Sequence, residues 1–156
     1  MALDPTARES NFKDSIKKYL VDSLATTEGL NVSFDKTLST PYLQTVTMQK
    51  WVMVNWGPFI RGTLSDAVID IVCCVRKDNE GFLLAQLVDK VMGYLTDVDA
   101  THGMKTITFY RSFQSSPWTV IGGLLVWDIM ETGTLEAPDS TKYKILSVRF
   151  KFASKI

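Results

Sequence analysis

Residues 67–76, with the sequence AVIDIVCCVR, decide the fold of this chain. Apolar side chains fill almost every position in both phases of a period of two, which is typical of a central strand covered on each face. Residues 77–81 break the pattern, and Asp78 or Asn79 is suited to cap a following helix. From Phe82 onward the period is helical, and one apolar face is formed by Leu84, Leu87, Val88, Val91 and Leu95. A buried strand, a turn and an amphipathic helix predict an α+β domain.

Periodic apolar residues elsewhere predict a second helix and five further strands. A helix is predicted over residues 12–24, because apolar residues recur there every four positions behind a capping residue, Asn11. Gly29 is suited to the end of this helix. The predicted strands are residues 30–34, 46–56, 107–110 and 119–131, and a last strand that carries Leu146, Val148, Phe150 and Phe152. The predicted order is α-β-β-β-α-β-β-β, an α+β fold in which two α-helices pack on a mixed or antiparallel β-sheet of about six strands.

Glycine and proline mark the places where the predicted strands end or bend. Gly57-Pro58 is expected to end its strand, since proline cannot donate to a strand ladder. Gly122-Gly123 lies inside a strand and predicts a bulge or a bend. The polar residues 1–10 are predicted to form an extended N-terminal arm.

The composition bounds the size and the class of the protein. Its 156 residues favour a single domain, over residues 1–156, that buries a core without disulfides. Apolar residues make up 46% and charged residues 22%, as in ordinary soluble globular proteins. Basic and acidic residues number 17 each, and this zero net charge argues against a general nucleic-acid binder. No apolar run approaches the ~20 residues that span a bilayer, so no membrane contact is expected.

Two adjacent cysteines, Cys73 and Cys74, bear on the cellular compartment and on metal binding. They cannot form a disulfide framework, and the N-terminus lacks the apolar stretch of a signal peptide, so a cytosol-like compartment is expected. On a strand the two side chains point to opposite faces and cannot hold one ion. We therefore predict two reduced, inert thiols in the core.

No stretch carries a recognisable catalytic or metal-binding motif. Asp97, Asp99 and Thr101 match the first ligand positions of a calcium loop, but Thr108 stands where the bidentate glutamate belongs. The single histidine, His102, has no nucleophile in a recognised setting, and the chain has no phosphate-binding glycine motif. We predict that the protein is not an enzyme and that it holds no metal and no cofactor.

Four tryptophans allow two interpretations, a sugar-stacking platform and a core with a protein interface. Aromatic residues are common in both settings. The four tryptophans lie in or beside predicted strands with apolar neighbours, which favours the interpretation as core and protein interface. These tryptophans are Trp51, Trp56, Trp118 and Trp127. A carbohydrate- or other ligand-binding module that uses exposed tryptophans is the alternative function, ahead of a small hydrolase.

The layout of the predicted elements resembles that of a known protein family. A first amphipathic helix is followed by strands, one of which ends in the sequence WGP at residues 56–58. The strand 66–76, the turn 77–81 and the helix 82–95 come next, and a long β-hairpin closes the chain. This order is similar to that of the tail terminator, or tail completion, proteins of long-tailed bacteriophages, and the resemblance covers most of the chain.

The resemblance implies a structural protein of the virion, located in the phage tail or neck and made in the host cytoplasm. Proteins of that family form a homohexameric ring that terminates tail-tube polymerisation and joins the tail to the head/neck connector. The implied partners are further copies of the chain, the tail tube protein and the head-side connector protein. DNA that passes through such a ring needs no sequence-specific binding, and the resemblance implies no active site.

Two long loops are the predicted contact regions of such a ring. Residues 36–45 and 132–142 exceed the length of plain connections. A ring closed by head-to-tail contacts needs two different surfaces on each subunit, and a sheet edge is a further candidate. The predicted interface residues are Leu38, Tyr42, Leu43, Thr134, Leu135 and Glu136. In the alternative, the apolar residues of the first loop fold back on their own sheet.

Overall fold

The computed structural model describes residues 9–34, 49–78, 80–111, 119–137 and 141–153. In these residues, helix α1 (Glu9–Leu20) continues into a π-helical segment (Val21–Thr27), and α2 (Phe82–Leu95) lies between the third and fourth strands. The strands are β1 (Asn31–Phe34), β2 (Lys50–Ile60), β3 (Leu64–Val75), β4 (Thr106–Arg111), β5 (Thr119–Glu131), β6 (Leu135–Glu136) and β7 (Lys142–Ala153). The predicted α+β fold and its order of elements are confirmed, and the short β6 is added inside the predicted loop 132–142.

The described strands form one mixed sheet in the order β1-β2-β3-β7-β5-β4, with β6 paired to β7. Strand β3 lies between β2 and β7 and is antiparallel to both, and β1 is parallel to β2. Strand β3 thus lies in the middle of the sheet. Strands that are buried in this way have long apolar runs, as β3 does.

Both helices pack on the same face of the sheet, which we call the inner face. Phe12 of α1 lies at the centre of an aromatic cluster, with its ring stacked on Phe152 at a centroid distance of 5.3 Å and edge-on to Phe150 at 5.6 Å. Helix α2 buries Val88, with 4% of its surface exposed, against the same core. The inner face of the last strand is formed by Leu146, Val148, Phe150 and Phe152, as predicted.

The two predicted helix boundary signals near α2 and after α1 are confirmed. The Asp78 carboxylate accepts a hydrogen bond from the Leu84 N–H at 2.9 Å, so Asp78 caps the first turn of α2. At the other helix, Gly29 adopts a positive φ of 70° and closes the π-helical segment. The Leu30 N–H then donates to the Leu24 carbonyl at 2.9 Å, a bond typical of a glycine-terminated helix. The other predicted cap, Asn79, lies outside the described residues.

The predicted start of the first helix is wrong. Glu9 and Ser10 already belong to α1, so they are not part of an extended arm. Asn11 lies within the helix and is 3% exposed, so it packs inside rather than capping the end. The helix also runs past Leu24, to Thr27, in the π form. Residues 1–8 lie outside the described residues.

Gly57-Pro58 does not end its strand, contrary to the prediction. Strand β2 continues to Ile60, and its register with β3 shifts between Trp56 and Phe59. Strand β1 pairs with β2 only as far as Val54, so the proline lies where that side of β2 has no described strand neighbour. A bulge was predicted at Gly122-Gly123, and a register shift lies directly beside these glycines. Gly122 pairs with Phe109 and Val120 with Tyr110, so Ile121 is the extra residue of β5.

Candidate assembly surface

The face of the sheet opposite the helices, which we call the outer face, is apolar at one end. Strand register places one row of side chains across four strands: Trp51, Cys74, Tyr143 and Leu135. Met53, Val72 and Ile145 form the next row. These apolar residues form a second, smaller cluster, in which Trp51 is 3% exposed and Cys74 is fully buried. The prediction that both faces of β3 are covered therefore applies to this end, although both helices lie on the inner face.

Farther along the outer face the rows become polar and charged. The Ser147 hydroxyl donates to the Asp70 carboxylate at 2.7 Å, across the β3–β7 pair. In the next row, an Arg149 Nη2 lies 3.3 Å from a carboxylate oxygen of Asp128, and both side chains are largely exposed. An exposed ion pair of this kind contributes little to the stability of the domain. It does give this part of the surface a defined pattern of charge.

Large apolar side chains are exposed along the same outer face. On β5, Met130 pairs with Ser147 and is 73% exposed. Trp127 lies at a register shift in β5 and is 47% exposed, with the Lys151 ammonium 4.2 Å from its ring centre. Ile60 is 63% exposed at the β2–β3 hairpin. Tryptophan, methionine and arginine are enriched at protein interfaces, so this composition favours a contact surface.

Buried polar atoms on the outer face lack a hydrogen-bond partner in the part of the chain that the structure describes. They include the Trp51 Nε1, the Asp66 Oδ1 and the Arg149 Nε. Strand register puts the last two in neighbouring rows, since Asp66 pairs with Lys151 and Arg149 with Val68. Buried polar groups in native proteins almost always have a partner, and a docked molecule would supply one here.

Of the six predicted interface residues, three lie in the described structure, at and beside strand β6. Leu135 lies at the end of the apolar row on the outer face and is 38% exposed. Thr134 and Glu136, on either side of it, are also exposed. The other three, Leu38, Tyr42 and Leu43, lie outside the described residues. The sequence did not predict that Trp127 and Met130 lie on the outer face. A register shift inside β5 puts them there, and such a shift interrupts the two-residue period from which strand faces are predicted.

Strand β4 forms an edge of the sheet, and α1 covers only part of it. The Ser15 hydroxyl accepts a hydrogen bond from the Tyr110 N–H at 2.8 Å and donates to the Tyr110 carbonyl at 3.3 Å. Beyond Ser15 the π-helical segment and β4 enclose a groove of about 450 Å³, with Thr106, Thr108 and Lys105 in its wall. This partly open edge is a second surface, distinct from the outer face.

The two cysteines are buried, and local hydrogen bonds order the loop after α2. Burial raises the pKa of the Cys73 thiol to about 12, so this sulfur stays protonated at neutral pH. The Asp97 carboxylate accepts the Asp99 N–H at 3.0 Å within a turn, and the His102 Nδ1 accepts the Met104 N–H at 3.1 Å. Among the described residues, no group of three metal-ligating side chains comes together.

The three tryptophans within the described ranges do not form a row of exposed rings. Trp51 is buried, and Trp56 packs against Phe12 and Phe34 at centroid distances of 6.3 and 6.0 Å. Trp127 is half exposed, and Trp118 lies outside the described residues. Of the three described tryptophans, one therefore presents a ring to solvent.

No helix within the described ranges has both the length and the apolar character needed to cross a lipid bilayer.

Comparison with known proteins yields a likeness of fold. No family model matches the chain, and no curated protein matches it. One of the solved structures that match, a protein known by a bare sequence identifier, aligns with a TM-score of 0.59 and is 11% identical in sequence. The alignment covers 95% of this chain and 99% of the other. At this identity the likeness shows that the two chains share a fold over nearly their full lengths.

Proposed function

We propose that the chain is a structural virion protein of a long-tailed bacteriophage, of the tail terminator type. Copies of it form a ring that ends polymerisation of the tail tube and joins the tail to the head-side connector. Two things support the proposal, the resemblance in the order of elements and the presence of two unlike open surfaces on one small domain.

The two open surfaces are the observation that carries the proposal. A head-to-tail contact that closes into a ring needs two different surfaces on each subunit, one for each neighbour. The outer face offers Trp127, Met130 and Ile60 as exposed anchors. The β4 edge, with its groove beside the π-helical segment, offers a surface of different shape and chemistry. A hexamer is the stoichiometry that the resemblance implies.

The proposal assigns no reaction, metal or cofactor to the chain. Its partners are further copies of itself, the tail tube protein and the connector protein, and its place is the virion after synthesis in the host cytoplasm. DNA passes through the ring without sequence-specific contacts, in keeping with a net charge of zero. Among the described tryptophans, the alternative of a carbohydrate-binding module would rest mainly on the ring of Trp127, because Trp51 is buried.

Tail length tests the proposal directly. The gene is deleted from the phage that carries it, and the tails in the lysate are measured by electron microscopy. We expect overlong tubes that lack heads, and a return to uniform length when the gene is supplied in trans. Tails of unchanged length and normal head attachment after deletion would overturn the proposal.

A further inference from the structure

The backbone N–H and carbonyl groups of successive β4 residues point alternately toward β5 and away from it. Those that point away lie on the edge of the sheet. The Lys105 carbonyl accepts a hydrogen bond from Val126 of β5, whereas the Tyr110 N–H and carbonyl face Ser15 on the opposite side. Backbone groups alternate in direction along a strand, so those of Thr106 and Thr108 also point away from β5. They face the groove beside the π-helical segment. Ser15 therefore covers one end of this edge, and no described strand pairs with the other end.

Strand β6 pairs with β7 on one side and has no described strand on the other. The Ala137 N–H donates to the Thr141 carbonyl at 2.8 Å, toward β7, and Leu135 pairs with Tyr143 in the same direction. The backbone of Glu136, between them, therefore points away from β7. An edge with a free N–H and carbonyl is a template for pairing with another strand.

The charges beside the two open edges are opposite. Lys105 lines the groove next to Thr106 and forms no ion pair with any described residue. Glu136 is exposed on β6, and no ion pair joins it to a described residue, although Lys142 lies opposite it in the register with β7. The groove's other basic side chain, Lys18, is already paired with Asp22 at 2.9 Å. The lysine in the groove thus has room for a carboxylate from outside the subunit.

We propose that, in the ring, the β6 edge of one copy pairs with the open β4 edge of the next copy, with Glu136 opposite Lys105. The inference rests on the proposed ring and names a backbone contact within it, which adds to the contacts of the outer face. The pairing is parallel, with the Thr106 N–H donating to the Glu136 carbonyl, and the charge pair fixes its register. The contact is head-to-tail, since it joins different strands of the two copies.

Charge reversal tests the pairing. Lys105→Glu and Glu136→Lys each place like charges at the contact, so each is expected to weaken self-association at least about tenfold, as measured by sedimentation. The double variant exchanges the two charges, so the contact again joins an acid and a base. It should assemble nearly as well as wild type. Glu80→Lys is the control, because Glu80 is an exposed acid before α2, away from both edges.

A backbone substitution tests the same contact without changing charge. Thr106→Pro removes the outward N–H and leaves the bonds toward β5 intact, as proline permits on an edge. Thr106→Val keeps the N–H and is the matched control. We expect Thr106→Pro to weaken self-association and Thr106→Val to leave it unchanged.

The outcomes separate this inference from the proposed function. Rings that form equally well in both charge reversals and in Thr106→Pro would overturn the inference and leave the ring in place. Single reversals that weaken the ring without rescue in the double variant would also overturn it. A wild-type chain that stays monomeric would overturn the ring itself.

Discussion

The hydroxyl of Ser15 on α1 bridges the N–H and the carbonyl of Tyr110 on β4, at 2.8 and 3.3 Å. The two residues are 95 positions apart, and Ser15 is fully buried. A helix side chain thus takes the place of a neighbouring strand at this point of the sheet edge. The contact fixes α1 beside β4 and prevents pairing with another chain at Tyr110.

Replacing Ser15 with alanine removes both hydrogen bonds. We expect Ser15→Ala to lower the free energy of unfolding by about 1–3 kcal/mol, the sum of two net hydrogen bonds, as measured by denaturant unfolding. Ser33→Ala on β1 is the control, since the Ser33 side chain makes no hydrogen bond to a described residue. Equal stability of the two variants would show that the bridge contributes nothing.

Packing of α2 on the sheet is tested with a buried charge. Val88 is 4% exposed, so Val88→Asp places an unpaired carboxylate in the core and should cost more than about 3 kcal/mol. Gln86→Asp introduces the same charge on the exposed side of the same helix and should change stability by less than about 0.5 kcal/mol. Thermal unfolding of the two variants decides the matter, and an unchanged melting temperature for Val88→Asp would contradict the packing.

The close approach of β2 and β3 at the bulge requires glycine. A Cβ on Gly57 would lie 2.6 Å from the Val68 carbonyl oxygen, which is backbone and cannot swing away. Gly57→Ala is therefore expected to cost about 1–3 kcal/mol in unfolding free energy. Gly133→Ala is the control, because a Cβ there meets nothing within 4 Å. If both glycines tolerated alanine equally, the bulge geometry would be wrong.

Burial of Cys73 makes stability depend on alkaline pH. The pKa of this thiol rises from its usual 9.0 to about 12, so the folded chain holds the proton more tightly than the unfolded chain does. Its contribution is complete below pH 9 and is lost as the pH rises from 9 toward 12. The stability difference between wild type and Cys73→Ala should shrink by up to ~1.4 kcal/mol per pH unit in that window. A constant difference, or rapid labelling of the native thiols, would contradict this.

Much of the fold follows from local patterns in the sequence. Residues 67–76 show the two-residue period of a central strand, and residues 82–95 show the helical period that buries Val88. These signals are strong because each apolar residue lies on the face that its spacing indicates. Asp78 and Gly29 give the helix boundaries, since capping depends on the nearest residues alone.

The features that were not predicted depend on contacts distant in sequence. The continuation of β2 through Pro58 depends on β1 ending early, and the burial of Asn11 depends on what α1 packs against. The outer face is visible only when strand register brings Trp127 and Met130 beside β7. A single sequence carries no record of register between strands, so these parts of the candidate surface required the structure.

The mass of the purified protein in solution, measured by sedimentation across a range of concentrations, tests the central claim most directly. We predict one closed species, a hexamer of the 17.5 kDa chain. Met130→Asp on the outer face should shift it toward folded monomer, whereas Val98→Asp, on the 94% exposed side chain of the α2–β4 loop, should not. A wild-type protein that sediments as a monomer at every concentration would contradict the claim.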